Sequence, residues 1–401
     1  FLNRGSEVRI LQGAPIKLFC YYSMEKMKKI YYWSPCLGKV GTIVSTLNSA
    51  YSLKRYDKNI YEVAIINSCG EWDEYKKEIK ENNIELLDLG FKYFKYLPYN
   101  GVIQSRLSYV IIFLLSLFPL LYLIKKNKPD FVIAHLITSL PLFLNKFFNK
   151  DFKCILRISG YPKLHFVRNY FWKVFTKRIY KITCPTQELL EKLIIKGFDK
   201  TKLTFLPDAI VDIKKLSNSK KKQINKKSTK KYILTVGRLT KQKNYKYLIN
   251  EISNFFKINH TYDLYIVGEG EEKKNLQKQI ESLNMSDRIF LLGYSNNTYT
   301  YMKNASLFIL TSLWEEVGFV IVEAAINNLF VVSSDCPNGP KEFLNNGKAG
   351  ILFKTNIKDE LKNKLINFKK NNFKEKVQAK KNSMKYTKFR HYQKIKEILL
   401  N

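Results

Sequence analysis

The segment LFILTSLWEEVGFVIVEAA, residues 307–325, joins two apolar runs through a short polar loop. The apolar run from Leu307 to Leu310 predicts a buried strand, and the apolar run after Gly318 predicts a helix. Gly318 stands between them at a strand-to-helix turn, where a small residue lets backbone N–H groups approach a ligand. A strand joined to a helix in this way is part of a βαβ unit, so the stretch favours an α/β fold.

The same alternation of short apolar runs and longer amphipathic stretches occupies most of the 401-residue chain. It predicts strands at Ile30–Trp33, Val63–Asn67, Ile84–Leu87, Phe131–His135, Cys154–Ile158 and Ile182–Cys184, then at Tyr232–Val236, Leu264–Val267, Ile289–Leu292, Leu307–Leu310, Phe330–Ser333 and Ile351–Phe353. Alternating strands and helices predict parallel sheets. The length suits two domains of about 150–200 residues each.

A charged and polar segment separates the two halves of the chain. We predict a first domain at 24–212, a Lys-rich linker at 213–231, a second domain at 232–373 and a C-terminal helix at 374–401 that packs back on the first domain. Residues 1–23 lack the positive n-region and the long apolar run of a signal peptide. We interpret them as an upstream extension that precedes a start at Met24 or Met27.

Two glutamates in the opening stretch are candidate sugar ligands. Glu315 precedes the predicted helix and Glu323 lies inside it, so that both carboxylates can accept hydrogen bonds from hydroxyl groups. The structural alternative is a helix that begins with acidic residues because they complement its dipole.

A second motif, LTVGRLTKQKN at 234–244, carries positive charge. Gly237 follows a predicted strand, and Arg238 and Lys243 lie in the loop after it. Such a pair can bind a diphosphate, because Arg donates in a bidentate manner and Lys acts as a point charge. Ordinary basic surface is the alternative, and it is weaker for Arg238 because only ten of the 69 basic residues are Arg.

Together these motifs resemble those of family-4 glycosyltransferases, whose GT-B fold has two Rossmann-like domains facing each other across a cleft. Glu315 and Glu323 match the Glu-x7-Glu pattern, and Gly237–Asn244 matches the Gly-Arg-Leu-x3-Lys-Asn run. The other matching segments are Leu264–Gly270, Arg288–Gly293 and Asp335–Glu342, the last resembling a variant in members that use UDP-hexoses or UDP-hexosamines. The resemblance is strong over 232–353 and weaker over 27–210. Glu316 and Val317 depart from it, since the family usually has Gly and an aromatic residue there.

The resemblance implies a role for each candidate site residue. Arg238 and Lys243 would bind the donor diphosphate. Glu315 would contact the transferred sugar and Glu323 the ribose. His135, at a strand end in the first domain, would contact the sugar, although a hydrogen-bonded structural histidine is the alternative. The remaining nucleotide-sugar contacts would come from the glycine loop Gly38–Gly41 near the phosphates, from Gly293 and Tyr294 near the base, and from Gly237, Gly318 and Phe319.

The implied function is that of a retaining glycosyltransferase. It would transfer a hexose or N-acetylhexosamine from a nucleotide sugar, UDP-linked, to a glycan or lipid-linked acceptor in cell-surface polysaccharide or lipopolysaccharide synthesis. We expect no metal cofactor, because the chain has no Asp-x-Asp and no cluster of Cys and His ligands. Two alternatives stay open: a non-enzymatic basic protein that binds a membrane surface or nucleic acid, and a nucleotide-sugar epimerase on the same fold.

The formal net charge of +35 comes mainly from Lys. Nucleic-acid readers favour Arg, so we expect an anionic membrane surface and no nucleic acid as partner. Leu107–Ile124 is uncharged and just long enough to span a bilayer, but it contains Pro119 and leads directly into a strand. We predict a buried or membrane-dipping helix there. The six scattered Cys predict reduced thiols and a cytoplasmic protein. The apolar segment and the surplus of Lys predict that the protein is peripheral on the inner face of the cytoplasmic membrane.

Overall fold

Two parallel β-sheets, one in each half of the chain, organise the computed structural model. The structure describes residues 26–37, 41–98, 102–135, 140–148, 152–158, 160, 166–218, 229–368 and 372–400. The predicted extension at 1–23 lies outside these residues.

The first domain has a seven-stranded sheet in the order β3-β2-β1-β4-β5-β6-β7. Its strands are β1 (Lys28–Trp33), β2 (Tyr61–Asn67), β3 (Glu85–Asp88), β4 (Phe131–His135), β5 (Lys153–Arg157), β6 (Lys181–Cys184) and β7 (Leu203–Phe205). Its helices are α1 (Gly41–Tyr56), α2 (Lys76–Glu81), α3 (Val102–Asn127), α4 (Leu140–Phe147), α5 (Phe166–Thr176), α6 (Gln187–Ile195) and, at the domain boundary, α7 (Ile213–Asn218).

The second domain has a six-stranded sheet in the order β10-β9-β8-β11-β12-β13. Its strands are β8 (Lys231–Val236), β9 (Tyr262–Val267), β10 (Ile289–Gly293), β11 (Leu307–Leu310), β12 (Val331–Ser334) and β13 (Ile351–Phe353). The helices that follow are α8 (Tyr245–Phe256), α9 (Lys273–Ser282), α10 (Thr298–Asn304), α11 (Phe319–Ile326), α12 (Pro340–Phe343), α13 (Glu360–Ile366), α14 (Phe373–Ser383) and α15 (Lys388–Leu400).

Helices cover both faces of each sheet, which explains why the strands are apolar along their whole length. Every residue of β4 and of β11 is buried, for example. The chain order reverses between β1 and β4 in the first sheet and between β8 and β11 in the second. Ligands of open α/β sheets bind beyond the carboxyl ends of the strands at such a reversal. The topology therefore places a candidate site at these two points.

All twelve predicted strands are present, each with ends within two residues of the prediction. The strand β7 was not predicted. The predicted linker 213–231 is helical at its start. There α7 forms because Leu216 packs against the core of the second domain, and the Lys303 ammonium donates to its carbonyl oxygen at 3.0 Å.

The predicted C-terminal helix at 374–401 is two helices: α14 packs on α11 of the second domain, and only α15 crosses back to the first domain. Tyr392, Ile395 and Leu399 belong to the same apolar core as the residues of β1 and β2. The ring of His391 joins α1 to the segment after β7, through hydrogen bonds to the Ser49 hydroxyl and the Pro207 carbonyl, both at 2.7 Å. The end of the chain thus forms part of the first domain.

Candidate functional site

Three glycines lie side by side at the carboxyl ends of β8, β9 and β10. The Gly237 N–H donates to the Val267 carbonyl at 3.0 Å, and the Gly268 N–H donates to the Gly293 carbonyl at 2.8 Å. A Cβ at Gly268 would lie 1.9 Å from the Gly237 oxygen, so a side chain there is excluded. This close packing of bare backbone leaves room for a ligand at the edge of the second sheet.

Hydrogen bonds join the loop after β8 to the loop after β11. The Gln242 side chain donates to the Trp314 carbonyl at 2.8 Å, and the Leu313 N–H donates to the Gln242 carbonyl at 2.8 Å. The Thr311 hydroxyl donates to the Lys243 carbonyl at 2.9 Å. These contacts bring the two charged motifs predicted from the sequence, 72 residues apart, into one cluster.

Lys243 and Glu315 form an ion pair in this cluster. The Ser312 hydroxyl donates to the same carboxylate at 2.5 Å. The two charged side chains are only 14% and 8% exposed. The sequence analysis gave these residues separate partners, the diphosphate and the sugar, and did not predict that they bind each other. Arg238 lies exposed on the same loop.

The turn predicted before α11 is present. Gly318 has φ of 75° and immediately precedes the helix, a conformation that favours glycine. Phe319 is the first residue of α11, and Glu323 lies one turn further along. Glu315 is therefore in the loop and Glu323 on the helix, as predicted from their spacing.

His135 ends β4 and is buried in the first domain. Its Nδ1 lies 3.4 Å from the Thr46 hydroxyl, whereas its Nε2 has no partner among the described residues. Burial, followed by the nearby charges of Arg157 and His391, lowers the pKa of His135 well below its usual range. The imidazole is therefore neutral at pH 7. It can exchange hydrogen bonds with a hydroxyl group but carries no charge.

Sequence reasoning missed a buried ion pair beside His135. Arg157, at the end of β5, pairs with Asp208, which follows β7, and the Ser45 hydroxyl of α1 donates to the same carboxylate. One signal was available: Arg157 is one of only ten Arg and lies next to the end of a predicted strand. The partner Asp208 had no comparable signal, because it lies in an irregular segment.

The two domains touch across the cleft at several points. A Cβ at Gly41 would lie 3.3 Å from the Phe319 ring, and one at Gly160 would lie 2.7 Å from Oε1 of Glu316. To one side, the Glu342 carboxylate accepts from the first two N–H groups of α6, at 3.1 and 3.0 Å. The glutamate of the family-like segment 335–342 thus contacts the first domain.

The remaining candidate residues occupy the rim of the site or lie outside the described chain. Gly293 has φ of 77° at the end of β10, and Tyr294 next to it is exposed. Of the glycine loop, Gly41 begins α1, whereas 38–40 lie outside the described residues. Within the part of the chain that the structure describes, no three His, Cys, Asp or Glu side chains lie close enough together to hold a metal ion.

Comparison with known proteins relates this arrangement to a family. Residues 217–386 match the model of the glycosyl transferases group 1. An uncharacterised glycosyltransferase of Methanocaldococcus jannaschii is 29% identical over 325 residues, which are 76% of each chain. The UDP-Gal:alpha-D-GlcNAc-diphosphoundecaprenol alpha-1,3-galactosyltransferase of Escherichia coli is 28% identical, over 63% of this chain and 69% of its own. An N-acetylgalactosaminyltransferase of Campylobacter jejuni, named for a diphospho-undecaprenol acceptor, is also 28% identical, over 56% of this chain and 62% of its own.

Solved structures show the same fold. A glycosyltransferase from Rickettsia africae has a TM-score of 0.74 at 16% identity, covering 94% of this chain and 98% of its own. Anabaena HepE, solved with UDP, has a TM-score of 0.69 at 16% identity, covering 93% of this chain and all of its own. The match to the group 1 glycosyltransferases over residues 217–386 and the fold similarity over both domains together show that the chain is a glycosyltransferase with the GT-B fold.

Proposed function

We propose that the protein is a retaining glycosyltransferase that uses a UDP-linked hexose or N-acetylhexosamine and needs no metal. The observation that carries the proposal is the cluster of Lys243, Glu315 and the α11 N-terminus at the chain reversal of the second sheet, with Arg238 exposed on the same loop as Lys243. A diphosphate fits this cluster because cations and helix N–H groups face the same cleft. The UDP bound to Anabaena HepE and the UDP-Gal donor in the name of the Escherichia coli relative support the choice of nucleotide.

In the proposed reaction the bond between the anomeric carbon and the diphosphate oxygen breaks. The acceptor hydroxyl forms the new bond on the same face of the sugar, and its proton passes to the departing diphosphate. Arg238 and Lys243 stabilise the negative charge that develops on the leaving group, the kind of interaction that contributes most to such catalysis. Neutral His135, with its Nε2 free among the described residues, would accept or donate a hydrogen bond to a sugar hydroxyl.

A nucleotide panel tests the donor assignment. UDP at one hundred times its Kd should stabilise the folded protein by about 2.7 kcal/mol and raise its melting temperature by several degrees. ADP and GDP at the same concentration should have a smaller effect. Stabilisation by none of the three would contradict the proposal. Incubation with a set of UDP-sugars, with release of UDP as the readout, would then identify the sugar.

We further propose that the acceptor is a lipid-linked glycan at the inner face of the cytoplasmic membrane. Two relatives have diphospho-undecaprenol acceptors in their names. In this chain, α3 is the one described helix that is long and apolar enough to cross a membrane. Its ends connect β3 and β4 of a single sheet, so a path along the bilayer surface suits the fold better than a path through the bilayer.

The two faces of α3 differ. Every fourth residue along one face is buried against the domain: Ser108, Ile112, Ser116, Leu120 and Ile124. Large apolar side chains are exposed elsewhere on the helix: Leu107, Val110, Leu114, Leu115, Phe118 and Tyr122. Of the two predicted alternatives, a buried or a membrane-dipping helix, burial applies to only one face, because only part of the helix surface packs on the domain.

The apolar surface continues onto the next two helices. The Phe113 ring of α3 contacts Phe143 of α4, with centroids 5.4 Å apart, and Phe147 of α4 contacts Phe175 of α5 at 6.1 Å. Phe147 and Phe171 are themselves exposed. The helices α3, α4 and α5 contain basic residues but no Asp or Glu. An apolar surface of this size without acidic residues matches an anionic bilayer.

Vesicle sedimentation at low salt tests this surface. The protein should bind vesicles that contain anionic lipid, and Phe118→Ser should weaken the binding because the ring no longer enters the interface. Phe373→Ser is the matched control, since Phe118 is 73% and Phe373 69% exposed but only Phe118 lies on α3. The surface assignment fails if the protein stays in the supernatant, or if both variants bind equally well.

A further inference from the structure

Glu316 occupies the position at which this chain departs from the glycine usual in the family, and its side chain crosses the cleft. It lies in the loop between β11 and α11, directly after Glu315. A Cβ on Gly160 of the first domain would lie 2.7 Å from its Oε1 and 2.8 Å from its Cγ. The side chain is accessible to solvent through the cleft, yet it rests on the backbone of the opposite domain.

The charged groups that face Glu316 are two carboxylates and two cations. From the first domain come Asp208 and Arg157, and from the second come Glu315 and Lys243. Each of these cations is already paired, Arg157 with Asp208 and Lys243 with Glu315. The third carboxyl group, that of Glu316, is therefore the one without a cation of its own in this set. Behind them, His135 and His391 have lowered pKa values and add no positive charge at pH 7.

This environment keeps a proton on Glu316. Desolvation by the surrounding atoms, then the charges of Asp208 and Glu315, raise the pKa of Glu316 to about 8, against the smaller opposite effects of Arg157 and Lys243. At pH 7 the side chain is mainly a neutral acid. A protonated carboxyl group donates a hydrogen bond, which a carboxylate cannot do.

We propose that Glu316 is a donor-binding residue that presents a neutral carboxyl group to the diphosphate and donates a hydrogen bond to one of its oxygens. The proposal rests on the donor site described under the proposed function. The position of the side chain supports it, because Glu316 shares the neighbour Lys243 with that site and lies between the two walls that would enclose the diphosphate. An ionised Glu316 would repel the same diphosphate, so binding of the donor is coupled to retention of the proton.

The coupling between donor binding and the Glu316 proton predicts the direction in which the affinity changes with pH. The protonated protein binds the diphosphate, so affinity should be constant below the pKa of Glu316 and fall as the pH rises through about 8. At pH 9 the Kd for UDP should be roughly tenfold higher than at pH 7, because one proton is lost per site. The terminal phosphate of UDP is already ionised over this range, since such groups titrate near pH 6.

Calorimetric titration with UDP from pH 7 to pH 9 tests the proposal in four proteins. The wild type should show the tenfold loss of affinity for UDP between pH 7 and pH 9. Glu316→Gln keeps a neutral donor and should bind UDP at both pH values with nearly the wild-type affinity at pH 7. Glu316→Gly, which restores the residue usual in the family, should bind more weakly at pH 7 and lose the pH dependence. Glu281→Gln, which removes an exposed carboxylate from α9, should behave as the wild type.

A residue with only a structural role would not produce this pattern. The inference is overturned if UDP binds the wild type with the same Kd at both pH values, or if Glu316→Gln keeps the wild-type slope. If UDP, ADP and GDP all fail to bind the wild type at pH 7, the donor site itself is refuted, and this inference with it. The two failures are therefore distinguishable in one set of titrations.

Discussion

The ion pair between Lys243 and Glu315 leads to a stability prediction that can be worked out from the structure. Both side chains are mostly buried, and the carboxylate also accepts the Ser312 hydroxyl. Replacing Lys243 with Met leaves a carboxylate that is largely removed from water and has one hydrogen-bond donor left. Breaking a buried ion pair from one side typically costs about 3–5 kcal/mol. Because the pair borders the cleft and water can enter, we expect about 3 kcal/mol.

The other two variants of this double-mutant cycle, Glu315→Gln and the double variant, should lose less stability. In Glu315→Gln the freed lysine can turn towards the solvent of the cleft, so the loss should be about 1 kcal/mol, that of one hydrogen bond. The double variant removes both charges together and should also lose about 1 kcal/mol. The coupling between the two positions should thus be about 3 kcal/mol.

Chemical denaturation without nucleotide provides the measurement. A loss of 3 kcal/mol also corresponds to about 6–12 °C in the melting transition of a domain of this size. Lys341→Met is the matched control, because Lys341 lies near the same cleft but is more than half exposed, 3.9 Å from Asp335. Exposed pairs contribute little, so this control should change stability by less than about 1 kcal/mol. A Lys243→Met variant as stable as the wild type, with no coupling to Glu315, would refute the reasoning: Lys243 would then be free for the diphosphate from the start.

Three further predictions concern activity. Arg238→Ala should lower the rate roughly 10²–10³-fold in steady-state assays, since it removes charge stabilisation of the leaving diphosphate; a change below tenfold would place Arg238 outside the reaction centre. Glu323→Ala should raise the KM for the donor and leave kcat nearly unchanged, because the ribose does not change during the reaction; a large fall in kcat at saturating donor would contradict the ribose role. Activity should survive EDTA, and a loss that Mn²⁺ restores would show that the expected metal independence is wrong.

Local features of the sequence accounted for much of the fold. The predicted strands follow from apolar runs that sit buried in parallel sheets, and the turn at Gly318 follows from its place between a strand and a helix. Hydrophobic periodicity could not predict which face of α3 is buried, because nearly every residue between Leu107 and Ile124 is apolar. Such a helix shows no hydrophobic stripe, so which of its faces packs on the domain depends on what lies beside it.

The candidate site likewise has features that the sequence predicted and features that it did not. The candidate side chains near strand ends and helix starts could be predicted from the sequence, because the carboxyl ends of parallel strands meet at one edge of a sheet. They include Arg238, Lys243, Glu315 and His135. The pairing of the charges could not be predicted, because it depends on the folded arrangement of the strands and loops. Lys243 binds Glu315 and Arg157 binds Asp208 because strand order and loop contacts bring together residues 72 and 51 positions apart. The contact of Glu316 with Gly160 depends in addition on how the two domains face each other, and no local pattern in a chain encodes that distance.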